Sequence, residues 1–241
     1  MRFAETTEKT QKKRTQYDTT PLPRWKRGLD LVCLAVSLPL VGSVAAVIAL
    51  WIKFVSRGPV LFRQERVGYA GQSFQCFKFR TMKPNADAAN HQQHLRQLMA
   101  TETPMTKLDA QGDDRLIPGA AFLRATGLDE LPQLLNVWRG EMSVVGPRPC
   151  LPYEYAGYSD AQKARFAAAP GLTGLWQVSG KNRTTFKQMI SLDIQYAQQK
   201  SLLLDLAIMV KTPIVLLKQV LAVSGTQPAP VFGQPLQKAA Q

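Results

Sequence analysis

The chain has 241 residues and a formal net charge of +13, which suits one domain with appendages and selects anionic partners: phosphorylated substrates, anionic lipid or nucleic acid. Its three cysteines, Cys33, Cys76 and Cys150, are far apart with no Cys-x-x-Cys. That excludes a disulfide framework and a thiolate zinc site, and a reducing compartment fits best.

Residues 1–23 are polar, rich in Thr and Lys, without apolar periodicity, and read as a disordered tail. Trp25, Lys26 and Arg27 precede an uncharged apolar run from Leu31 to Ile52. The run is long enough to cross a bilayer and longer than a signal-peptide core. Cations flank both ends: Arg24, Lys26 and Arg27 before it, Lys53 and Arg57 after it. The positive-inside rule places both ends in the cytoplasm. Pro39, near the middle, removes a backbone hydrogen bond and bends a helix, and the Ser37 hydroxyl is placed to satisfy a freed carbonyl. A re-entrant helix within residues 24–56 meets these constraints. A straight crossing stays open, because the charge rule is a bias.

Arg57-Gly58-Pro59 reads as a turn, Val60 to Phe62 as a short strand, Tyr69 to Gln72 as a hairpin turn and Phe74 to Thr81 as the return strand. Alternation then puts Lys78 and Arg80 on one face and Phe77 and Phe79 on the buried one. The two cations suit either a phosphate clamp or a charged, solvated edge. The polar stretch from Asn85 to Thr103 permits a helix with a weak stripe at Leu95, Leu98 and Met99. It holds the only histidines, His91 and His94, with no third ligand nearby, so a solvated helix face is expected. Thr103 to Gly112 reads as a loop.

Thr126 to Trp138 is the centre of the chain. Leu128, Leu131, Leu135 and Trp138 recur at helical spacing, which predicts one buried helix face. Pro132 is tolerated only in a first turn, so Asp129 and Glu130 sit at the helix start, where the dipole favours carboxylates. An ionised Asp can act as a nucleophile and an ionised Glu can hold a divalent cation. Acids also occur in first turns simply as caps. Gly146-Pro147-Arg148-Pro149 follows as a rigid turn presenting a cation. Tyr153, Tyr155 and Tyr158 suit ordinary packing better than a lipid headgroup region. Pro170 to Arg183 fails the P-loop spacing and reads as a glycine-shaped turn, with Lys181 and Arg183 as anion contacts. Thr184 to Lys200 reads as a helix that starts at Thr184 or Thr185, with Met189, Leu192 and Tyr196 on one face. Ser201 to Val223 is apolar but broken by Asp205, Lys211, Pro213 and Lys218, which favours a segment on a membrane surface or against the domain. The Pro-containing end after Gly225 reads as disordered.

Five motifs in order resemble the bacterial sugar transferases, the monotopic polyprenyl-phosphate phosphoglycosyl transferases. They are Lys26-Arg27-Gly28-Leu29-Asp30 ahead of Pro39; Lys78 to Met82; Leu123 to Gln133; Gly140 to Pro149; and Pro170 to Gly180. The likeness is greatest to the small members that initiate exopolysaccharide or O-antigen synthesis. Two departures stand out: Gly127 replaces the usual Ser before Leu-Asp-Glu, and Asp113-Asp114-Arg115 replaces Asp-Pro-Arg.

The resemblance implies an enzyme that moves a sugar-1-phosphate from a UDP-sugar to undecaprenyl phosphate and releases UMP. It implies Asp129 as nucleophile, through a phosphosugar-aspartyl intermediate, and Glu130 as the Mg²⁺ ligand. Arg148, framed by Pro147 and Pro149, would bind substrate phosphate, with Lys78, Arg80 and Arg124 as further cations. The implied fold is α+β: a mostly helical cytoplasmic domain (57–224) with a small β-hairpin, anchored by the Pro-bent re-entrant helix and amphipathic interfacial helices. The implied location is the bacterial inner membrane, on its cytoplasmic leaflet, and a homodimer is compatible with it. The alternative is an inactive basic scaffold attached to the membrane. No motif supports nucleic-acid binding.

Overall fold

A computed structural model describes residues 23–83, 89–105, 115–180 and 183–224. The two expected disordered tails, most of the 103–112 loop, Asp113, Asp114 and Lys181, and the side chains of His91 and His94, lie outside the described residues.

Helix α1 spans Arg24–Val55 and contains Pro39 without an interruption. At about 1.5 Å per residue it is roughly 48 Å long. Among the described residues it is the one helix long and apolar enough to cross a membrane. Most of its apolar side chains face away from the protein, Val36, Leu40, Leu50 and Phe54 among them. The Ser37 hydroxyl donates to the Leu34 carbonyl at 3.3 Å. The carbonyl that a proline at 39 deprives of its donor is that of Ala35, so Ser37 serves the neighbouring one instead.

Both ends of α1 are fastened to the domain. At the start, Lys26 reaches Asp205 at 2.6 Å and the Tyr196 hydroxyl at 2.8 Å. Asp30 accepts from the Ser143 hydroxyl and the Val144 N–H, each at 2.8 Å. Near the end, Ile48 and Ile52 are buried with Phe79, Ile117 and Leu123.

Strands β1 (Leu61–Val67) and β2 (Ser73–Phe79) form the expected antiparallel hairpin, longer in its first strand than the sequence indicated. Phe77 and Phe79 are buried, as their alternation requires. Helix α2 (Ala89–Ala100) buries Leu95 and Leu98. Helix α3 (Ala120–Thr126) follows, then a 3₁₀ helix (Leu128–Gln133), α4 (Leu134–Arg139) and β3 (Ser143–Val145). Short helices α5 (Pro152–Ala156) and α6 (Asp160–Lys163) lead to β4 (Gly171–Thr173) and α7 (Leu175–Val178). Helix α8 (Phe186–Gln199) starts where the sequence placed it, with Thr185 accepting from the Gln188 N–H at 3.2 Å. Helix α9 (Leu202–Ser224) carries Pro213 internally, so Pro213 does not end it. The largest core joins the hairpin end to α2, α5, α7 and α8 through Val67, Leu98, Leu151, Trp176 and Met189. Tyr158 is buried there and Tyr155 stacks edge-on to Phe166, so these tyrosines pack in the interior as expected.

The parallel pair β3–β4 is not evident in the sequence. It explains the glycines of both distal motifs. A Cβ on Gly146 would sit 2.1 Å from the Ala169 carbonyl, and one on Gly171 would sit 2.0 Å from the Gly146 nitrogen. Two backbones cross at a distance that no side chain permits. Gly171→Ala is therefore expected to cost about 3 kcal/mol or more, the upper end of overpacking. The thermal midpoint of the purified variant measures it, and a change below about 2 °C would contradict the crossing.

Candidate active site

The stretch with the two acids is not one helix. Gly127 adopts φ +75° between α3 and the 3₁₀ turn, and the Glu130 N–H bonds its carbonyl at 3.0 Å. Gly127 is thus the cap, while the Thr126 hydroxyl turns back to the Phe122 carbonyl at 2.8 Å. The left-handed φ is one that Gly adopts without strain. Pro132 is tolerated because a short 3₁₀ turn makes few bonds that need its missing N–H.

The predicted buried face is only half correct. Leu128 and Leu131 pack against α1, but Leu135 and Trp138 are exposed, Trp138 by 65%. Gln133, Asn136 and Val137 are buried in their place. Asn136 sets this rotation. Its side chain accepts from the Phe77 N–H at 3.1 Å and donates to the Gln75 carbonyl at 2.7 Å and to Glu141 at 2.6 Å. A fully buried amide must find partners, and two of these three lie on β2. That bond pattern fastens the acidic turn to the hairpin.

The consequence is a contact between two motifs. Lys78 Nζ lies 2.7 Å from Glu130 Oε1, with both side chains partly open to solvent. Asp129 beside it is 8% exposed. Arg124 on α3 donates to the Thr81 hydroxyl at 3.3 Å, just past the end of β2. Lys78, Arg124, Asp129 and Glu130 are therefore gathered where β2, α3 and the 3₁₀ turn meet.

Arg80 has a different setting from Lys78. It is buried, and its guanidinium donates to the Pro59 carbonyl, the Ser56 carbonyl and the Ser56 hydroxyl at 2.6–3.0 Å. It ties the exit of α1 to the strand. Arg183 is exposed at the other side of the glycine turn.

Arg148 is partly open to solvent and bound in a bidentate pair to fully buried Glu154, at 2.8 and 3.3 Å. Glu154 also accepts from the Leu151 N–H and the Tyr158 hydroxyl, each at 3.2 Å. Behind it Arg165 donates to Tyr158 and to the Arg148 carbonyl and pairs with Asp193. Burial pushes Glu154 up, but Arg148, Arg66 and Arg165 outweigh it and hold its carboxyl below the usual range. Burial wins at Asp193, which is pushed up to about 6 despite Arg165. The carbonyls of Pro147 and Pro149 are taken by the Gly171 N–H at 2.9 Å and by Arg66 at 3.1 Å. The turn is thus braced from both sides.

Asn136, Glu154 and Arg66 were not singled out from the sequence. An Asn inside Leu-Leu-Asn-Val-Trp is a readable sign of a buried polar contact. Glu154 and Arg66 give no such sign, since each stands in a polar stretch where a solvated side chain is the ordinary expectation.

Among the described residues no group of three or more His, Cys, Asp and Glu forms a metal cage. Adjacent carboxylates at Asp129 and Glu130 nevertheless fit Mg²⁺, which takes one or two carboxylates and completes its shell with phosphate oxygens and water.

The profile of the bacterial sugar transferase family matches residues 22–219. This chain belongs to that family. The bacterial sugar transferase is 41% identical over 187 residues to the exopolysaccharide production protein ExoY of Rhizobium meliloti (strain 1021), covering 78% of this chain and 83% of ExoY. It is 42% identical over 205 residues to the UDP-glucose:undecaprenyl-phosphate glucose-1-phosphate transferase of Caulobacter vibrioides, covering 80% and 71%. It is 38% identical over 202 residues to the undecaprenyl-phosphate galactose phosphotransferase of Salmonella typhimurium, covering 80% of this chain but 40% of that longer protein. The matched range takes in α1 and both halves of the candidate site, so the sugar transferase region includes the apolar helix.

Proposed function

We propose that this enzyme transfers a sugar-1-phosphate from a UDP-sugar to undecaprenyl phosphate, releasing UMP and initiating assembly of an exopolysaccharide-type glycan. The observation that carries this reading is the placement of adjacent carboxylates, one buried and one paired to Lys78, on a turn packed between the hairpin and an apolar helix.

Asp129 attacks the sugar-bearing phosphorus, the phosphoanhydride bond breaks and UMP leaves with its electron pair. An oxygen of the lipid phosphate then attacks the phosphosugar-aspartyl ester, and Asp129 is regenerated. Glu130 would hold Mg²⁺, with Asp129 beside it, and the ion supplies charge neutralisation at the diphosphate. Lys78 and Arg124 stabilise charge on the transferring phosphoryl group, and Arg148 presents its solvent-open edge to a phosphate oxygen. Glu154 orients that edge. Arg80 contributes by holding the strand that bears Lys78.

The membrane arrangement follows from the same surface. A spanning helix puts its ends on opposite sides of a hydrocarbon core about 30 Å thick. Here both ends of α1 are fastened to one domain, which supports re-entry through the cytoplasmic leaflet of the inner membrane. Phe122, Leu135, Trp138, Leu203, Val210 and Leu217 add exposed apolar side chains on α3, α4 and α9, as interfacial helices require. The acidic turn then lies at headgroup depth, where a lipid phosphate is reached without leaving the bilayer. Labelling of single cysteines near Arg24 and near Arg57 from each side tests this; a periplasmic N-terminal end would overturn re-entry.

The deciding experiment incubates purified protein with Mg²⁺, undecaprenyl phosphate and a panel of UDP-sugars. UMP release with at least one donor is expected. UDP release would mean ordinary glycosyl transfer, and no release with any donor would leave the scaffold reading. Chelation by EDTA is expected to stop UMP release, and Mg²⁺ to restore it. Glu130→Gln should raise the Mg²⁺ concentration for half-maximal rate by about tenfold or more, since a neutral ligand binds a hard cation less well. An unchanged Mg²⁺ requirement would remove Glu130 from the metal.

A further inference from the structure

One buried cation near the site makes no direct hydrogen bond or ion pair to a carboxylate among the described residues. Arg66, on β1, is 8% exposed. It donates to the Pro149 carbonyl at 3.1 Å and to Gln64 Oε1 at 2.7 Å, both neutral acceptors. Its Nε–H is buried and has no partner among the described residues. The other buried cations have matched acceptors, although the Arg165 Nε–H also lacks a partner among the described residues. Arg165 faces Asp193, Lys26 faces Asp205, and Arg80 has its Nε bonded to Pro59. Burial and the neighbouring Arg148 lower the proton affinity of Arg66, and Glu154, already paired to Arg148, only partly offsets them.

A second orphan lies close by. The Tyr153 hydroxyl is buried without a partner among the described residues. It feels both Arg66 and Arg148. Burial raises its pKa, so it remains a neutral O–H able to donate. Two unused donors, one of them on a guanidinium with no carboxylate in direct contact, are costly to bury unless an acceptor arrives. All of these groups donate, and the local charge is positive, so the missing acceptor is an anion. Phe62, Gln64 and Arg66 alternate on one face of the hairpin, and Lys78 stands opposite Phe62. Arg66 is therefore on the Lys78 face, four residues along the strand, or roughly 13 Å. Long side chains from both positions narrow that gap.

We infer that Arg66, the Tyr153 hydroxyl and the open edge of Arg148 form a second phosphate-oxygen subsite beside the acidic turn. It takes a phosphate of either the UDP-sugar or the polyprenyl phosphate. The inference rests on the phosphosugar-transfer reading above.

Tyr153→Phe is the main test, because it removes only the orphan hydroxyl. The free protein should keep or slightly raise its thermal midpoint, since no described residue bonds that oxygen. The KM for one substrate should rise about tenfold, the loss of one hydrogen bond to a charged group, with kcat within about twofold. The substrate whose KM moves identifies the phosphate bound. Arg66→Gln should weaken the same KM further and Arg66→Lys should recover part of it, as a charge role requires and a purely structural role does not. Binding of inorganic pyrophosphate, followed by calorimetry on the full chain, should weaken in Arg66→Gln. Unchanged KM values for both substrates with unchanged pyrophosphate binding would overturn the subsite and leave a water in the gap. If the wild type releases no UMP, the transfer reading fails, and the pyrophosphate arm alone decides the subsite.

Discussion

Replacing Asp129 by Asn will abolish UMP release. The two side chains have nearly the same shape, so under the proposed mechanism the change removes the nucleophile with little change in volume. Loss of a covalent nucleophile typically costs several orders of magnitude, and a drop of at least about 10³-fold is expected here. Two further readouts separate chemistry from folding. The thermal midpoint of the variant should stay within a few degrees of the wild type. Without acceptor, the wild type should release about one UMP per protein and gain the mass of a phosphosugar, and the variant should do neither. Full activity in Asp129→Asn, or a persistent adduct, would assign the attack to another group. Under the proposed roles, with Glu130 holding the ion and Asp129 forming the bond, Glu130→Gln should retain the adduct at high Mg²⁺.

The structure shows why these adjacent acids can hold unequal roles. Both lie in one turn, yet Asp129 is nearly buried while Glu130 reaches Lys78 in partly open surroundings. Sequence reasoning told them apart by chemistry, an Asp able to attack and a Glu able to hold a cation. The pairing with Lys78 comes instead from Asn136, which holds the turn against β2. Hydrophobic periodicity could not anticipate that rotation, because it counts apolar spacing and Asn136 is polar. For the same reason it placed Leu135 and Trp138 inside, although they join an exposed apolar surface.

Other features were legible for identifiable reasons. The hairpin carries a turn and a clear alternation, and α8 has a capping threonine. The pairing of β3 with β4 is parallel and joins strands of three residues each, too short for any pattern. The conflict between two acids in the Arg148 network also escapes a one-dimensional reading. Glu154 is held below its usual range and Asp193 above it. Glu154 therefore stabilises the fold above the ordinary carboxylate range, and that contribution is lost as pH falls through its lowered value. Asp193 has the opposite sign: the folded state binds its proton more tightly, so its ionisation lowers stability as pH rises towards about 6.

Breaking the buried bridge at the start of α1 is expected to have the largest effect on stability. Lys26 and Asp205 are 2% and 0% exposed, 179 residues apart in sequence and 2.6 Å apart in space. Tyr196, also buried, donates to Asp205 at 2.7 Å and accepts from Lys26 at 2.8 Å. Lys26→Ala leaves a buried carboxylate facing only a hydroxyl, and Asp205→Ala strands an ammonium. Either should cost about 3–5 kcal/mol, the usual penalty for removing one partner of a buried pair. Lys26→Met with Asp205→Leu removes both charges and keeps the volume, so most of that loss should return. Chemical denaturation of the detergent-purified variants measures all three. If the double variant loses as much as the two single ones combined, the bridge acts through packing and not through charge. The bridge also joins α1 to α9, two long and strongly apolar helices. An intact fold with lower activity in the double variant would show that the charges fix the angle at which the membrane helix meets the site.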